Sequence, residues 1–165
     1  MVPSPGLLLT RIKPPMARVN SLTRARPIPD PVALGKIIGN LLDNAYRYTE
    51  PGDSIAVTLQ TNPFIDAGTV APLGQEFPAG DKMEKRLKEM YLIKVSDTGI
   101  GIREEHLPYI FERFFRADSS REKEQSRAGS GIGLALVKEL TRAIGGLILV
   151  SSKPGEGTTF YLYLK

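Results

Sequence analysis

The 165-residue chain suits one domain with a single core, and its 41% hydrophobic and 24% charged residues are ordinary for a globular protein. Its net charge of +4, from 22 basic and 18 acidic residues, is spread along the chain, unlike the aromatic-laced stripe of a nucleic-acid binder, and suits a domain that attracts a polyphosphate. The lack of cysteine excludes disulfides and Cys-ligated metals, and no apolar run reaches membrane-span length (Leu7-Leu8-Leu9 is too short even for a signal core), so a soluble domain is expected.

Residues 1–29 carry Pro3, Pro5, Pro14, Pro15, Pro27 and Pro29 among several arginines. Proline donates no ladder hydrogen bond, so loops and edge strands are predicted here, with Gly6–Ile12 as the one strand. Asp30 before Pro31 has the form of an N-cap followed by a first-turn proline. Val32, Leu34, Ile37, Ile38, Leu41, Leu42 and Ala45 then recur at helical spacing, which predicts a helix ending near Tyr48, ahead of Pro51-Gly52. Ser54–Thr61 alternates like a strand through Ile55, Val57 and Leu59. Asn62–Gly80, with three prolines and three glycines, reads as loop, and the charged Asp81–Met90 as a short helix. The apolar Tyr91–Val95 predicts a strand, followed by a short helix at Glu104–Phe115, a polar mobile loop at Arg116–Arg127 and a helix at Gly131–Ile144. Strands at Leu147–Ser152 and Thr158–Leu164 close the chain around the turn Lys153–Gly157. This order implies a two-layer α/β sandwich, a mixed, mostly antiparallel sheet with helices packed on one face.

Four motifs on these elements suggest chemistry. Asn40 and Asn44 lie one turn apart on the predicted helix, with Arg47 and Tyr48 completing the stripe. Amide oxygens suit Mg²⁺ and an arginine suits phosphate, although a solvated polar face would look the same. Asp97-Thr98-Gly99-Ile100-Gly101-Ile102 follows an apolar strand. Its carboxylate could accept a hydrogen bond from the exocyclic amine of adenine while the glycines admit a flat ring; the plainer reading is an Asx turn, and both stay open. Gly129, Gly131 and Gly133 lead directly into the predicted helix, with Leu134 following, so free N–H groups and the helix dipole there would favour phosphate. The alternative is a hinge with Ser130 as N-cap. Gly155-Glu156-Gly157-Thr158-Thr159-Phe160 reads, alone, as a hairpin turn.

Together with Phe111-Glu112-Arg113-Phe114-Phe115-Arg116, these motifs occur in one order that resembles the catalytic and ATP-binding domain of sensor histidine kinases. That domain is related to the DNA gyrase B subunits, heat-shock chaperone ATPases and mismatch-repair ATPases. The resemblance covers roughly residues 30–60 and 91–165, so the domain is placed at 30–165 with an insertion at 62–90 and poorly defined edge strands before it. By position it implies ATP and Mg²⁺ as cofactors, with Asn40 and Asn44 associated with the metal. Arg47 and Tyr48 would lie beside the nucleotide, Asp97 would read adenine, and Gly99, Gly101 and Ile102 would flank it. Arg116 would meet the γ-phosphate, Gly129, Gly131, Gly133 and Leu134 would form the phosphate side, Thr158 would support Asp97, and Ala117–Ala128 would be a lid.

The resemblance also bears on the reaction. The ATPase relatives carry a glutamate one turn before the metal-associated asparagine, where it activates water. Asn40 stands there, and an amide is no general base near neutral pH. The implied function is therefore to bind ATP, protect it from water and present its γ-phosphate to a histidine on a separate dimerisation and phosphoacceptor hairpin. Partners would be that hairpin and a response regulator. The setting would be cytoplasmic, the domain a monomer without nucleic acid or direct membrane insertion. His106, the sole histidine, lacks a following acidic residue and reads as an exposed polar side chain. Alternatives are a serine kinase of the anti-sigma type, disfavoured by the intact phenylalanine segment, and a non-catalytic nucleotide-binding interaction module. Three departures stand out: Asn62–Met90 is far longer than the family's usual short turn and reads as a solvent-exposed excursion, Ile144 replaces a frequent histidine before Gly145-Gly146, and the proline-rich start matches poorly.

Overall fold

A computed structural model of the protein describes residues 30–61, 63, 69–72, 85–86, 89–116 and 130–165. The predicted strand at Gly6–Ile12 and the predicted lid at 117–128 lie outside the described residues, as does Gly129.

The first helix, α1 (Pro31–Arg47), begins as its sequence requires: Asp30 Oδ1 accepts the Val32 N–H at 2.9 Å, and Pro31 occupies the first turn. Ala33, Ile37, Leu41 and Ala45, each four residues apart, form its buried stripe. Each large aliphatic side chain removed from water this way contributes about 1.5–3 kcal/mol. Tyr48 is the C-cap.

Strand β1 (Ile55–Thr61) pairs antiparallel with β2 (Tyr91–Asp97), β2 with β4 (Gly157–Leu164), and β4 with β3 (Leu147–Lys153). The spatial order is β1-β2-β4-β3, and every pair of this four-stranded sheet is antiparallel. The second long helix, α2 (Gly133–Ala143), packs on α1. Both lie on one face of the sheet, where Ile37, Leu41 and Val137 meet Val95, Ile148, Val150, Phe160 and Leu162 in the principal core. The architecture is the expected two-layer α/β sandwich.

The opposite face is also apolar and buried. Because strand side chains alternate, Leu92, Leu147, Leu149, Tyr161 and Tyr163 point away from the helices, where Met90 joins them and Ala71 packs against them. Pro63 and Pro72 are buried, and Val70 forms a two-bond antiparallel bridge with Val150 (Val70 N to Val150 O 2.7 Å, Val150 N to Val70 O 3.0 Å). Residues 69–72 thus form a strap along the free edge of β3, and for these residues the expectation of a solvent-exposed excursion is corrected. The physical reason is the continuous apolar run Leu147–Val150, which presents hydrophobic side chains to both faces and needs cover on each. Of the charged segment predicted helical, Lys85 and Arg86 are helical, and 81–84 and 87–88 lie outside the described residues.

Two further expectations change. The predicted helix at Glu104–Phe115 is a single 3-10 turn, Glu104–His106, followed by turns. Pro108 lacks the N–H that would continue a helix. Strand β1 alternates in sequence, yet all seven of its residues are exposed among the described surroundings.

Candidate functional site

Strand β2 delivers Asp97 to a nearly buried position at the end of the sheet. Its Oδ1 accepts two backbone N–H groups, Gly99 at 3.0 Å and Thr158 at 3.2 Å. The first closes an Asx turn, so the turn and ligand readings of this motif are compatible: they use different oxygens. Oδ2 has no hydrogen bond among the described residues. Burial raises the Asp97 pKa above its ordinary 3.8; the two N–H donors oppose that shift, and the neighbouring Asp53 carboxylate adds to it.

The loop after Asp97 is tied to three neighbours. Ile100 N–H donates to Tyr48 O at the end of α1 (3.2 Å), and Gly155 N–H of the β3–β4 turn donates to Ile100 O (2.8 Å). Ile102 N–H donates to Ser152 Oγ at 2.8 Å, and Ser54 N–H donates to Thr98 Oγ1 at 2.9 Å. Packing is close enough to require glycine. A Cβ on Gly99 would fall 2.2 Å from Tyr48 O, and one on Gly101, at φ +69°, would fall 1.9 Å from Lys153 O. The Gly-Glu-Gly-Thr turn therefore clasps the Asp97 loop, a role its sequence alone does not distinguish from an ordinary hairpin.

Across from this loop, Asn40 Nδ2 donates to Lys36 O at 2.7 Å. Its Oδ1 faces the start of α2, where a Cβ on Gly133 would lie 3.0 Å away. Asn44 and Arg47 follow on α1, both half-buried. Among the described residues, no group of three His, Cys, Asp or Glu side chains could hold a metal ion. A cation here would depend on amide oxygens together with ligand oxygens, and the open Oδ1 of Asn40 fits a hard cation of the Mg²⁺ kind. At the start of α2 the N-cap is Ile132, with no side-chain cap bond, so Ser130 does not serve as the cap. The first-turn N–H groups lack a side-chain acceptor there, the arrangement that favours an anion.

The phenylalanine segment closes this side. Phe111 is buried edge-on to Phe160 (6.1 Å between ring centroids), and Glu112 pairs with Lys138 of α2 at 2.8 Å. Phe114 has φ +64°, donates its N–H to Gly131 O at 2.9 Å and is 72% exposed. Phe115 is half-buried against Tyr109 and His106, and Arg116 is exposed. His106 departs from expectation. Its side chain is only 15% exposed and meets Phe115 edge-on at 5.8 Å, because the 3-10 turn rolls the ring inward.

The fold thus brings Asn40 beside Gly133, Phe114 beside Gly131, and Asp97 beside Gly99 and Thr158. Ile102 and Leu134 are half-buried against the principal core. Thr158 reaches Asp97 through its backbone N–H, while its hydroxyl meets Ser152. Ser152 and Asp53 went unnoticed in the sequence. A serine at a strand end and an aspartate in a turn carry no distinctive spacing; the β3–β4 register places Ser152 at the loop, and the β1–β2 pairing brings Asp53 to Thr98.

Residues 29–165 match the model of a family described as histidine kinase-, DNA gyrase B-, and HSP90-like ATPase, and the chain belongs to that family. Within it, the relatives identify a catalytic ATP-binding domain of the sensor histidine kinase type. Sensor protein SrrB of Staphylococcus aureus is 34% identical over 131 residues, which are 79% of this chain and 18% of SrrB. The chain therefore spans under a fifth of that curated relative. A solved mycobacterial sensor histidine kinase, MprB, is 30% identical with a TM-score of 0.58, covering 83% of this chain and 74% of that one. Full-length ShkA in complex with AMPPNP is 26% identical with a TM-score of 0.56, over 84% of this chain and 23% of its own. Among the described residues no helix is long and apolar enough to cross a membrane.

Proposed function

We propose that the chain binds MgATP between α1, the Asp97 loop, the phenylalanine segment and the start of α2, and presents the γ-phosphate to a histidine on a separate helical hairpin. The observation that carries this reading is the state of Asp97. One oxygen is consumed by backbone donors and the other has no partner among the described residues, so beside the glycine loop the carboxylate can accept a hydrogen bond from the exocyclic amine of adenine. The bound AMPPNP of ShkA supports an adenine nucleotide as ligand.

In this reading Gly99, Gly101 and Ile102 flank the base, and Tyr48 and Arg47 lie along the nucleotide. Mg²⁺, when bound, would be held by Asn40 and Asn44 with phosphate oxygens, and would neutralise charge on the transferring phosphoryl group. The uncapped N–H groups of α2 around Gly133 and Leu134 receive phosphate, with Gly129 and Gly131 before them. Arg116, exposed at the edge of the site, meets the γ-phosphate. Asn40 cannot take a proton from water, so ATP is held and hydrolysed poorly. His106 is no acceptor: its ring is packed on Phe115 and its Nε2 lies 3.3 Å from Glu105 Oε1.

The setting that follows is a cytoplasmic domain of a longer sensor kinase, acting with its phosphoacceptor hairpin and a response regulator. Supplying histidine-bearing hairpins in trans with radiolabelled ATP tests it. Label should pass to the hairpin histidine in the presence of this chain and be lost with Asn44→Ala. Label on His106, or on a serine of an added protein, would support a different kinase class.

A further inference from the structure

We propose that Ser152 is a positioning residue for nucleotide-base selection, acting by tying the loop after β2 to the β3–β4 hairpin on either side of Asp97. This rests on Asp97 as the reader of the adenine amine.

A serine hydroxyl offers one donor and two acceptor lone pairs, and Ser152 uses all three. Its O–H donates to Gly157 O at 2.8 Å, and its oxygen accepts the Ile102 N–H at 2.8 Å. Thr158 Oγ1 lies 2.9 Å away. Because the single serine proton goes to Gly157, the threonine hydroxyl is the donor in this last contact. One oxygen therefore joins the far end of the Asp97–Ile102 loop to two consecutive residues of β4.

Both β4 residues bear directly on the carboxylate strand. Thr158 is the register partner of Asp97 and donates its N–H to Oδ1. Gly157 packs so closely that a Cβ on it would fall 2.0 Å from Asp97 O. The direction of Oδ2 thus depends on how β4 and the loop are held together, and besides Asp97 itself the Ser152 side chain bonds to both. Removing its hydroxyl leaves the Ile102 N–H without its partner and releases the Thr158 hydroxyl to rotate. The strand pairing Ser152↔Thr158 is a backbone feature and survives the change.

The test compares ATP with inosine triphosphate, which has the same sugar and phosphates but presents a carbonyl oxygen where adenine has its amine. Calorimetric titration of the full chain with Mg²⁺ and each nucleotide gives the selectivity. The unmutated chain should favour ATP, and Ser152→Ala should reduce that preference by about tenfold, the scale of one impaired hydrogen bond, chiefly by weakening ATP. Ser152→Thr, which keeps the hydroxyl, should retain the preference. Equal weakening of both nucleotides by Ser152→Ala would mean general support of the fold and would overturn the proposal. If Ser152→Ala does not fold, amide exchange in the unmutated chain decides: the Ile102 N–H should be strongly protected, and free exchange would overturn it. An unmutated chain that binds ATP without preference refutes the Asp97 reading itself, and the proposal with it.

Discussion

The two ends of the candidate site are held by different physics. The Asp97 loop is fixed by directed bonds from α1, from the β1 edge and from the β3–β4 hairpin, with backbone so close that Gly99 and Gly101 admit no Cβ. The opposite end is held, among the described residues, mainly by side-chain packing: Leu107, Ile110 and Phe111 are buried in the core, Phe115 packs on Tyr109 and His106, Glu112 pairs with Lys138, and Phe114 is held in left-handed backbone. Left-handed conformation costs a non-glycine residue about 1–2 kcal/mol, so the Phe114 backbone is strained where the Asp97 loop is relaxed. An end set by directed backbone bonds suits recognition of a rigid base, and an end set by packing around one strained residue suits phosphates that must arrive and leave.

The sharpest way to break this contrast is at Gly101. Gly101→Ala places a methyl against Lys153 O in left-handed backbone, and should destabilise the chain by about 2–5 kcal/mol in urea unfolding. A loss below 1 kcal/mol, on the scale of ordinary surface substitutions, would mean that the loop is looser than its contacts imply.

Asp97→Asn comes next. It keeps an oxygen for the Gly99 and Thr158 N–H groups but turns the open position into a donor, so ATP affinity should fall by roughly a hundredfold, about 2–3 kcal/mol. Stability should move the other way. The Asp97 pKa is raised by burial, so between 3.8 and its higher folded value the folded chain binds more protons than the unfolded one. The contribution of this group to stability therefore falls as pH rises through that window, and stays unfavourable above it. Asp97→Asn should flatten that part of the profile and leave the apo chain no less stable at neutral pH, as thermal unfolding across pH can check.

At the strained end, Phe114→Gly should stabilise the chain by about 0.5–1 kcal/mol, relief of the left-handed cost less the greater entropy of unfolded glycine. The ring is mostly exposed and gives up little on removal. Stabilisation together with weaker phosphoryl transfer would assign the strain to function; destabilisation would contradict the account of strain. The smallest effect belongs to Glu112→Gln, where loss of a partly solvated ion pair should cost about 0.2–1 kcal/mol.

Legibility in the sequence followed the same division. Helix α1 was readable because its cap, first-turn proline and four-residue apolar period all agree, and the Asp97 loop because an apolar strand runs directly into Asp-Thr-Gly-Ile-Gly. The strap was not. Val70, Ala71 and Pro72 sit in a stretch rich in turn residues, and their burial comes from a two-sided apolar sheet whose topology no local pattern reveals. His106 was misread for a related reason: one 3-10 turn decides which way its ring points. Ser152 is the most instructive omission, because its three bonds join segments fifty residues apart that only the register brings together.

In the proposed function the site holds ATP and withholds it from water. Titration of the full chain with MgATP, followed by measurement of phosphate release from the same samples, tests it most directly. Saturable one-to-one binding that Asn44→Ala abolishes, with phosphate release near the protein-free rate, is the expected result. No binding, or rapid hydrolysis that Asn44→Ala removes, would contradict it.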